Sequence, residues 1–271
     1  MTELYLSFTQ QIKTILNDFH PEIAIILGSG LGKIAEKIEN PITIKYSEIL
    51  GFPQSTVSGH KGQFICGKLN NKNIICMQGR IHLYEGHSAQ SILQIIKTFK
   101  MLGVQKLIVT NAAGSLTKNI PAGSIMMITD HINLSGSNPL IGPNDDNFGP
   151  RFPDISNAYS KNLQEISRKT AKELNIELAE GVYLMVSGPN FETAAEVRAF
   201  GILGGNAVGM STVPEVISAT YCNLEILGFS VITNLGTGLQ KEPQSHDETL
   251  SMANSAADKL SSLINTIIAR I

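Results

Sequence analysis

Apolar residues recur along the chain in two rhythms. Short runs rich in β-branched and aliphatic residues, such as Ile-Ala-Ile-Ile-Leu at 23–27 and Lys-Leu-Ile-Val-Thr at 106–110, have the length and composition of buried strands. The same reading predicts strands over 42–49, 63–69, 73–77, 124–129, 182–187 and 229–233, and a shorter strand-like run at 207–210. Between them lie stretches with helical spacing. In 88–102 the apolar residues Ile92, Ile95, Ile96 and Phe99 return every three or four positions, which gathers them on one helix face. Helices are also predicted over 160–174, 194–203, 213–227 and 246–270. Strands alternating with helices imply a sheet covered by helices, an α/β fold. With no internal repeat or low-complexity tract, residues 1–271 are expected to form a single domain.

One stretch follows neither rhythm. Residues 133–159 are crowded with Gly, Pro, Asn and Asp, and so long a loop in a compact domain is expected to serve function or contacts. Composition then removes several classes of activity. At 42% hydrophobic, 16% charged and a formal charge of -2, the chain offers no bulk attraction to nucleic acid or to an anionic membrane. No run approaches the roughly eighteen apolar residues of a membrane span, and the opening Met-Thr-Glu-Leu-Tyr lacks the basic start of a secretion signal. A cytoplasmic location is expected. Cys66, Cys76 and Cys222 are odd in number and show no Cys-x-x-Cys spacing, so they read as buried reduced thiols.

Candidate chemistry gathers near predicted helix starts. Three capping boxes, Thr193 with Glu196, Thr212 with Glu215 and Ser245 with Glu248, are expected to begin helices. Beside them stand Phe191 and Glu192, Met210 and Ser211, and His246. Ligands of open α/β sheets bind where strands end and helices begin. A helix start carries about half a positive charge and free amides, which suits Ser211 to holding an anion and keeps His246 a neutral imidazole. The glycine loop Gly28-Ser29-Gly30-Leu31-Gly32 lacks the third glycine of a dinucleotide fingerprint, because Lys33 stands there, and Ile34 breaks a Walker A pattern. What remains is either a structural turn or a cradle of amides plus the Ser29 hydroxyl for a small anion. Arg80 and His82, in Gln78-Gly-Arg-Ile-His-Leu-Tyr-Glu-Gly-His87, alternate and point the same way if the preceding strand continues. A guanidinium suits oxyanions through its permanent charge and bidentate fork. Asn111 and Asn234 sit at strand ends, where an amide can recognise a ligand edge or simply form a turn.

Together these segments resemble the trimeric purine nucleoside phosphorylase family. Leu27-Gly-Ser-Gly-Leu-Gly32, Met77-Gln-Gly-Arg-Ile-His-Leu-Tyr-Glu-Gly86, Thr110-Asn-Ala-Ala-Gly114, Ser187-Gly-Pro-Asn-Phe-Glu-Thr193, Val208-Gly-Met-Ser-Thr-Val-Pro-Glu215 and Ser245-His-Asp-Glu248 follow the family's order through nearly the whole chain. The resemblance implies a mixed sheet closed into a distorted barrel flanked by helices, and a homotrimer. It implies phosphorolysis of (deoxy)inosine and (deoxy)guanosine to free base and (deoxy)ribose 1-phosphate. Inorganic phosphate would be the co-substrate, with no metal or organic cofactor. Phosphate would be held by Ser29, Arg80, His82, the Ala112 amide and Ser211, with His60 near its entrance. Tyr84 and Met210 would line the ribose, His246 would bond its 5'-hydroxyl, and Phe152 would reach a neighbouring subunit's site. Phe191, Glu192 and Asn234 would meet the purine, and Asn234, Glu192 and His82 are the implied catalytic residues.

The sequence also departs from the vertebrate members. Residues 134–139 look shorter, Leu235 replaces a lysine and Thr249 an apolar residue, which bears on base preference and loop closure. Three rivals fit less well. A methylthioadenosine phosphorylase would carry aspartate in place of Asn234, a nucleosidase would leave Arg80 and Ser29 without a role, and a nucleotide-binding module fails the glycine fingerprint.

Overall fold

The chain enters on α1 (Leu4–Leu16) and then lays down β1 (Ile23–Leu27), β2 (Glu39–Lys45), β3 (Gln63–Leu69) and β4 (Lys72–Gln78). The computed structural model describes residues 4–57, 59–239 and 246–271, without the side chains of 246–250 and 255. After β4, α2 (Ala89–Leu102) leads to β5 (Lys106–Ser115) and β6 (Ile125–Asn133), and α3 (Lys161–Glu173) leads to β7 (Leu178–Met185). Next come α4 (Ala194–Ile202), β8 (Ala207–Gly209), α5 (Val213–Tyr221), β9 (Glu225–Leu235) and α6 (His246–Ile268).

All nine strands join in the order β2-β3-β4-β1-β5-β8-β7-β6-β9, and β5 also pairs with β9. That extra pairing closes β5, β8, β7, β6 and β9 into a five-stranded barrel, with β1 to β4 as an open wing. The sheet is mixed: β1 runs parallel to β4 and β5, whereas β3 is antiparallel to β2 and β4. β1 is apolar and buried at every position, as a central strand covered on both faces must be. The expected mixed sheet and distorted barrel are both present.

Helices cover the sheet through the faces their spacing predicts. Ile92, Ile95, Ile96 and Phe99 of α2 are all buried, and Ser88 caps the helix by accepting from the Ser91 amide at 3.1 Å. They share a core with Phe8 and Ile12 of α1, while Leu260, Leu263, Ile264 and Ile267 of α6 pack with Phe229 on the other side.

Three expectations need correction. The strand predicted over 42–49 ends at Lys45, and Tyr46–Glu48 form a 3-10 turn. There Tyr46 is fully buried and its hydroxyl donates to the Gly79 carbonyl at 2.6 Å. The helix predicted over 213–227 stops at Tyr221, because Asn223 takes a left-handed φ of 55° that asparagine tolerates, and the chain restarts as β9. The strand predicted at 182–187 lies earlier, as Leu178–Met185.

One irregularity interrupts the barrel. β5 and β9 pair in step from Lys106 with Glu225 to Ala113 with Ile232, then resume at Gly114 with Asn234. Thr233 is therefore an extra residue, a β-bulge in β9. Among the described residues no helix is long and apolar enough to cross a membrane.

Candidate active site

Several strand ends open into one cavity of about 120 Å³, a concave place with convergent polar groups of the kind that holds small molecules. Ser29 enters after β1, Arg80, His82 and Tyr84 after β4, and Ala112 from β5. Met210 and Ser211 follow β8, Asn234 closes β9, and Phe191 with Glu192 come from the β7–α4 connection. Gly28 lets the Ser29 turn lie against β5. A Cβ there would stand 2.7 Å from the Asn111 Cα, so only glycine permits this approach.

Arg80 is the buried cation of the cavity, at 1% exposure. β4 ends at Gln78 and Gly79 turns the chain at φ 101°; beyond that turn Arg80 and His82 both reach the cavity, while Ile81 between them is buried in the core. Its Nη1 donates to Glu215 Oε1 at 3.1 Å and to Thr212 Oγ1 at 3.2 Å, and its Nη2 donates to the Thr110 carbonyl. Three of the five guanidinium N–H groups are thus engaged among the described residues, which fixes the fork and leaves two donors. The expected capping box at Thr212 and Glu215 does not form. Thr212 makes no side-chain cap, and both side chains turn to Arg80 instead. The box at Thr193 and Glu196 forms as predicted, while the one at Ser245 and Glu248 lies outside the described residues.

Two histidines stack beside the guanidinium. The His82 ring lies 4.6 Å from that of Tyr84 and 5.3 Å from that of His60. His82 Nδ1 donates to Glu85 Oε1 at 2.8 Å. Burial opposes the Glu85 charge, yet hydrogen bonds from His82 and from the Thr56 amide and hydroxyl outweigh it and pull its carboxyl down to about 2. Burial lowers the pKa of His82, against the pull of Glu85. A neutral His82 with its proton on Nδ1 keeps Nε2 as an acceptor. His60 stands one layer behind the cavity wall, its Nε2 3.0 Å from Ser29 Oγ. Burial, then the neighbouring His82 and Arg80, bring its pKa down to about 4, so His60 is neutral at pH 7.

At the opposite chemical extreme, Glu192 is 8% exposed and burial raises its pKa. Asn234 Oδ1 accepts from Thr233 Oγ1 at 2.8 Å, and its Nδ2 donates to the Leu235 carbonyl at 3.2 Å, leaving a second N–H. Besides His60, one predicted residue with a described side chain is not brought to the cavity. Phe152 is 88% exposed and lines a separate shallow groove with Ile141 and Ile155. His246 begins α6, but its side chain lies outside the described residues.

A family profile described as the phosphorylase superfamily matches residues 22–269. The chain is 49% identical over 250 residues to purine nucleoside phosphorylase 1 of Bacillus subtilis, covering 92% of both chains. The chain belongs to the purine nucleoside phosphorylase family. Its members are pentosyltransferases, and the fold agrees with theirs in detail. The Schistosoma mansoni enzyme in complex with adenosine superposes with a TM-score of 0.94 at 38% identity, covering 100% of this chain and 98% of the other. A Schistosoma mansoni purine nucleoside phosphorylase in complex with inosine gives 0.93 at 37%, covering 100% and 97%.

Sequence reasoning missed the residues behind the cavity wall in this phosphorylase. Thr212 and Glu215 showed only a helix-start pattern, and their partner Arg80 lies 132 and 135 residues away. Glu85 was visible within its motif, but its hold on His82 at i+3 needed the 3-10 turn Leu83–Glu85.

Proposed function

We propose that the enzyme cleaves the N-glycosidic bond of inosine, guanosine and their deoxy forms with inorganic phosphate, releasing free base and pentose 1-phosphate. The observation that carries this reading is a buried, pre-oriented Arg80 sharing one cavity with Ser29, His82, Ala112 and Ser211, and with Glu192 and Asn234. The first group supplies donors for an oxyanion: hydroxyls, a backbone amide and the remaining guanidinium N–H groups. His82 Nε2 accepts the proton of monohydrogen phosphate. The second group matches a 6-oxopurine edge. Glu192 accepts from N1–H, and the free Asn234 N–H donates to the N7 and O6 side.

Phosphate attacks C1' as the glycosidic bond loosens, and the sugar passes through an oxocarbenium-like state between two anions. Negative charge grows on the purine, where Asn234 donates. Catalysis on this reading is positioning and electrostatics. It uses no protein nucleophile, metal or organic cofactor, since phosphate itself is the second substrate. Tyr84 and Met210 flank the ribose, with His246 at its 5'-hydroxyl. Phe152, exposed within the 133–159 segment, completes the site of a neighbouring copy in a homotrimer. Three buried, unpaired cysteines support a reducing cytoplasm.

Purified protein incubated with inosine, guanosine or adenosine, with and without phosphate, tests the proposal by following ribose 1-phosphate. Cleavage of inosine and guanosine only when phosphate is present is expected. Equal cleavage of adenosine would overturn the base assignment, and phosphate-independent cleavage would overturn the mechanism.

A further inference from the structure

Thr212 occupies a backbone conformation that its side chain makes costly. Its φ is 79° and its ψ -47°, and the Val213 amide bonds back to the Ser211 carbonyl at 2.9 Å. This is the positive-φ γ-turn, rare for any residue and strained for a β-branched one. Glycine would sit here freely, so what threonine adds is its hydroxyl.

That hydroxyl is fully buried and has three polar neighbours. Asn111 Nδ2 donates to it at 2.8 Å and Arg80 Nη1 at 3.2 Å, and Ser211 Oγ lies at 3.2 Å. Guanidinium and amide nitrogens only donate, so both lone pairs of Thr212 Oγ1 are taken. Its single proton then goes to Ser211 Oγ. Ser211, having accepted, directs its own proton away from Thr212, to the side where it lines the cavity beside the Tyr183 hydroxyl, which accepts from the Ser211 amide at 3.4 Å. We propose that Thr212 is a positioning residue: it passes the donor order of Arg80 and Asn111 to Ser211 and so presets the Ser211 hydroxyl as a donor to phosphate. A hydroxyl already aimed at the anion needs no reorientation when it binds. The inference rests on phosphate occupying this cavity, as proposed above.

Thr212→Val keeps the branched shape and removes the hydroxyl, Thr212→Ser restores it, and Thr212→Gly removes it while relieving the backbone. KM for phosphate and KM for inosine are measured for each, with melting temperature as the folding control. In Thr212→Val the KM for phosphate is expected to rise about tenfold or more with the KM for inosine within about twofold, the effect of losing one hydrogen bond to a charged group. Thr212→Ser is expected to return it close to the parent value. If the valine variant does not fold, Thr212→Gly, which relieves the backbone, decides with the same selective rise. An unchanged phosphate KM in a folded variant lacking the hydroxyl, or equal increases for both substrates, would overturn the relay. A parent enzyme that cleaves inosine without phosphate would instead overturn the reading on which it rests.

Discussion

Replacing Glu215 by alanine separates the ion pair beneath the cavity from everything it supports. Arg80 and Glu215 stand 3.1 Å apart with side chains only 2% and 4% exposed. At an effective dielectric of about 20, unit charges at that distance attract by about 5 kcal/mol. Taking both from water offsets much of this gain, but removing one partner strands the other, at a cost of about 3–5 kcal/mol. Arg80 keeps the Thr212 hydroxyl and the Thr110 carbonyl as acceptors, which places the expected loss near the lower end, about 3 kcal/mol. Against a usual stability of about 5–15 kcal/mol, such a loss is readily seen in urea unfolding at fixed protein concentration. The stranded guanidinium borders the cavity, so phosphate is expected to recover more stability in the variant than in the parent. For scale, a ligand at 100 times its Kd adds about 2.7 kcal/mol. A loss below about 1 kcal/mol, the range of exposed pairs, would refute the role given to the pair. Equal phosphate gains in both proteins would refute the placement of Arg80 at the anion.

Other outcomes rest on single features. His60 is held down to about 4 from an ordinary 6.5, and His82 is also lowered. The unfolded chain therefore binds more protons between these values, and unfolding free energy falls as pH drops from 6.5 toward 4. Urea titrations at several pH values check this, and a pH-independent result would refute it. Gly79→Ala adds a Cβ 2.7 Å from that of His60 at a φ of 101°, so a loss above about 1 kcal/mol is expected; an unchanged melting temperature would count against the geometry. Asn234→Ala removes the proposed donor to the departing base and is expected to slow turnover about 100- to 1,000-fold, with near-normal phosphorolysis of inosine as the refuting result.

Strands such as β1 and β3 coincide with the runs predicted for them, because consecutive buried apolar residues need no partner to be recognised. Site residues at strand ends could be read in the same way, since glycine and asparagine there break a regular pattern. α1 escaped notice although Tyr5, Phe8, Ile12 and Leu16 carry helical spacing, because the polar residues between them dilute the signal. Buried apolar residues continue on both sides of the turn at Asn223, from Ala219 to Ile232, and periodicity could not divide helix from strand there. Long-range polar partners were out of reach. Nothing near Glu215 announces a cation 135 residues earlier, and only folding decides that it serves Arg80 and not a helix cap.

The bulge at Thr233 governs how β9 presents its end to the cavity. Side chains alternate along a strand, so one inserted residue reverses which face every later side chain takes. Asn234 shares its face with Gly114, whose Cβ would lie 3.2 Å from Asn234 Nδ2, only because Thr233 has been passed over in the pairing. Everything proposed to meet phosphate belongs to other segments of the chain. Gain or loss of a single residue near 233 would swing Asn234 out of the site while Arg80, His82 and Ser29 kept their places. A change of register confined to the end of β9 would therefore alter the proposed base contact and leave the proposed seat of phosphate as it is.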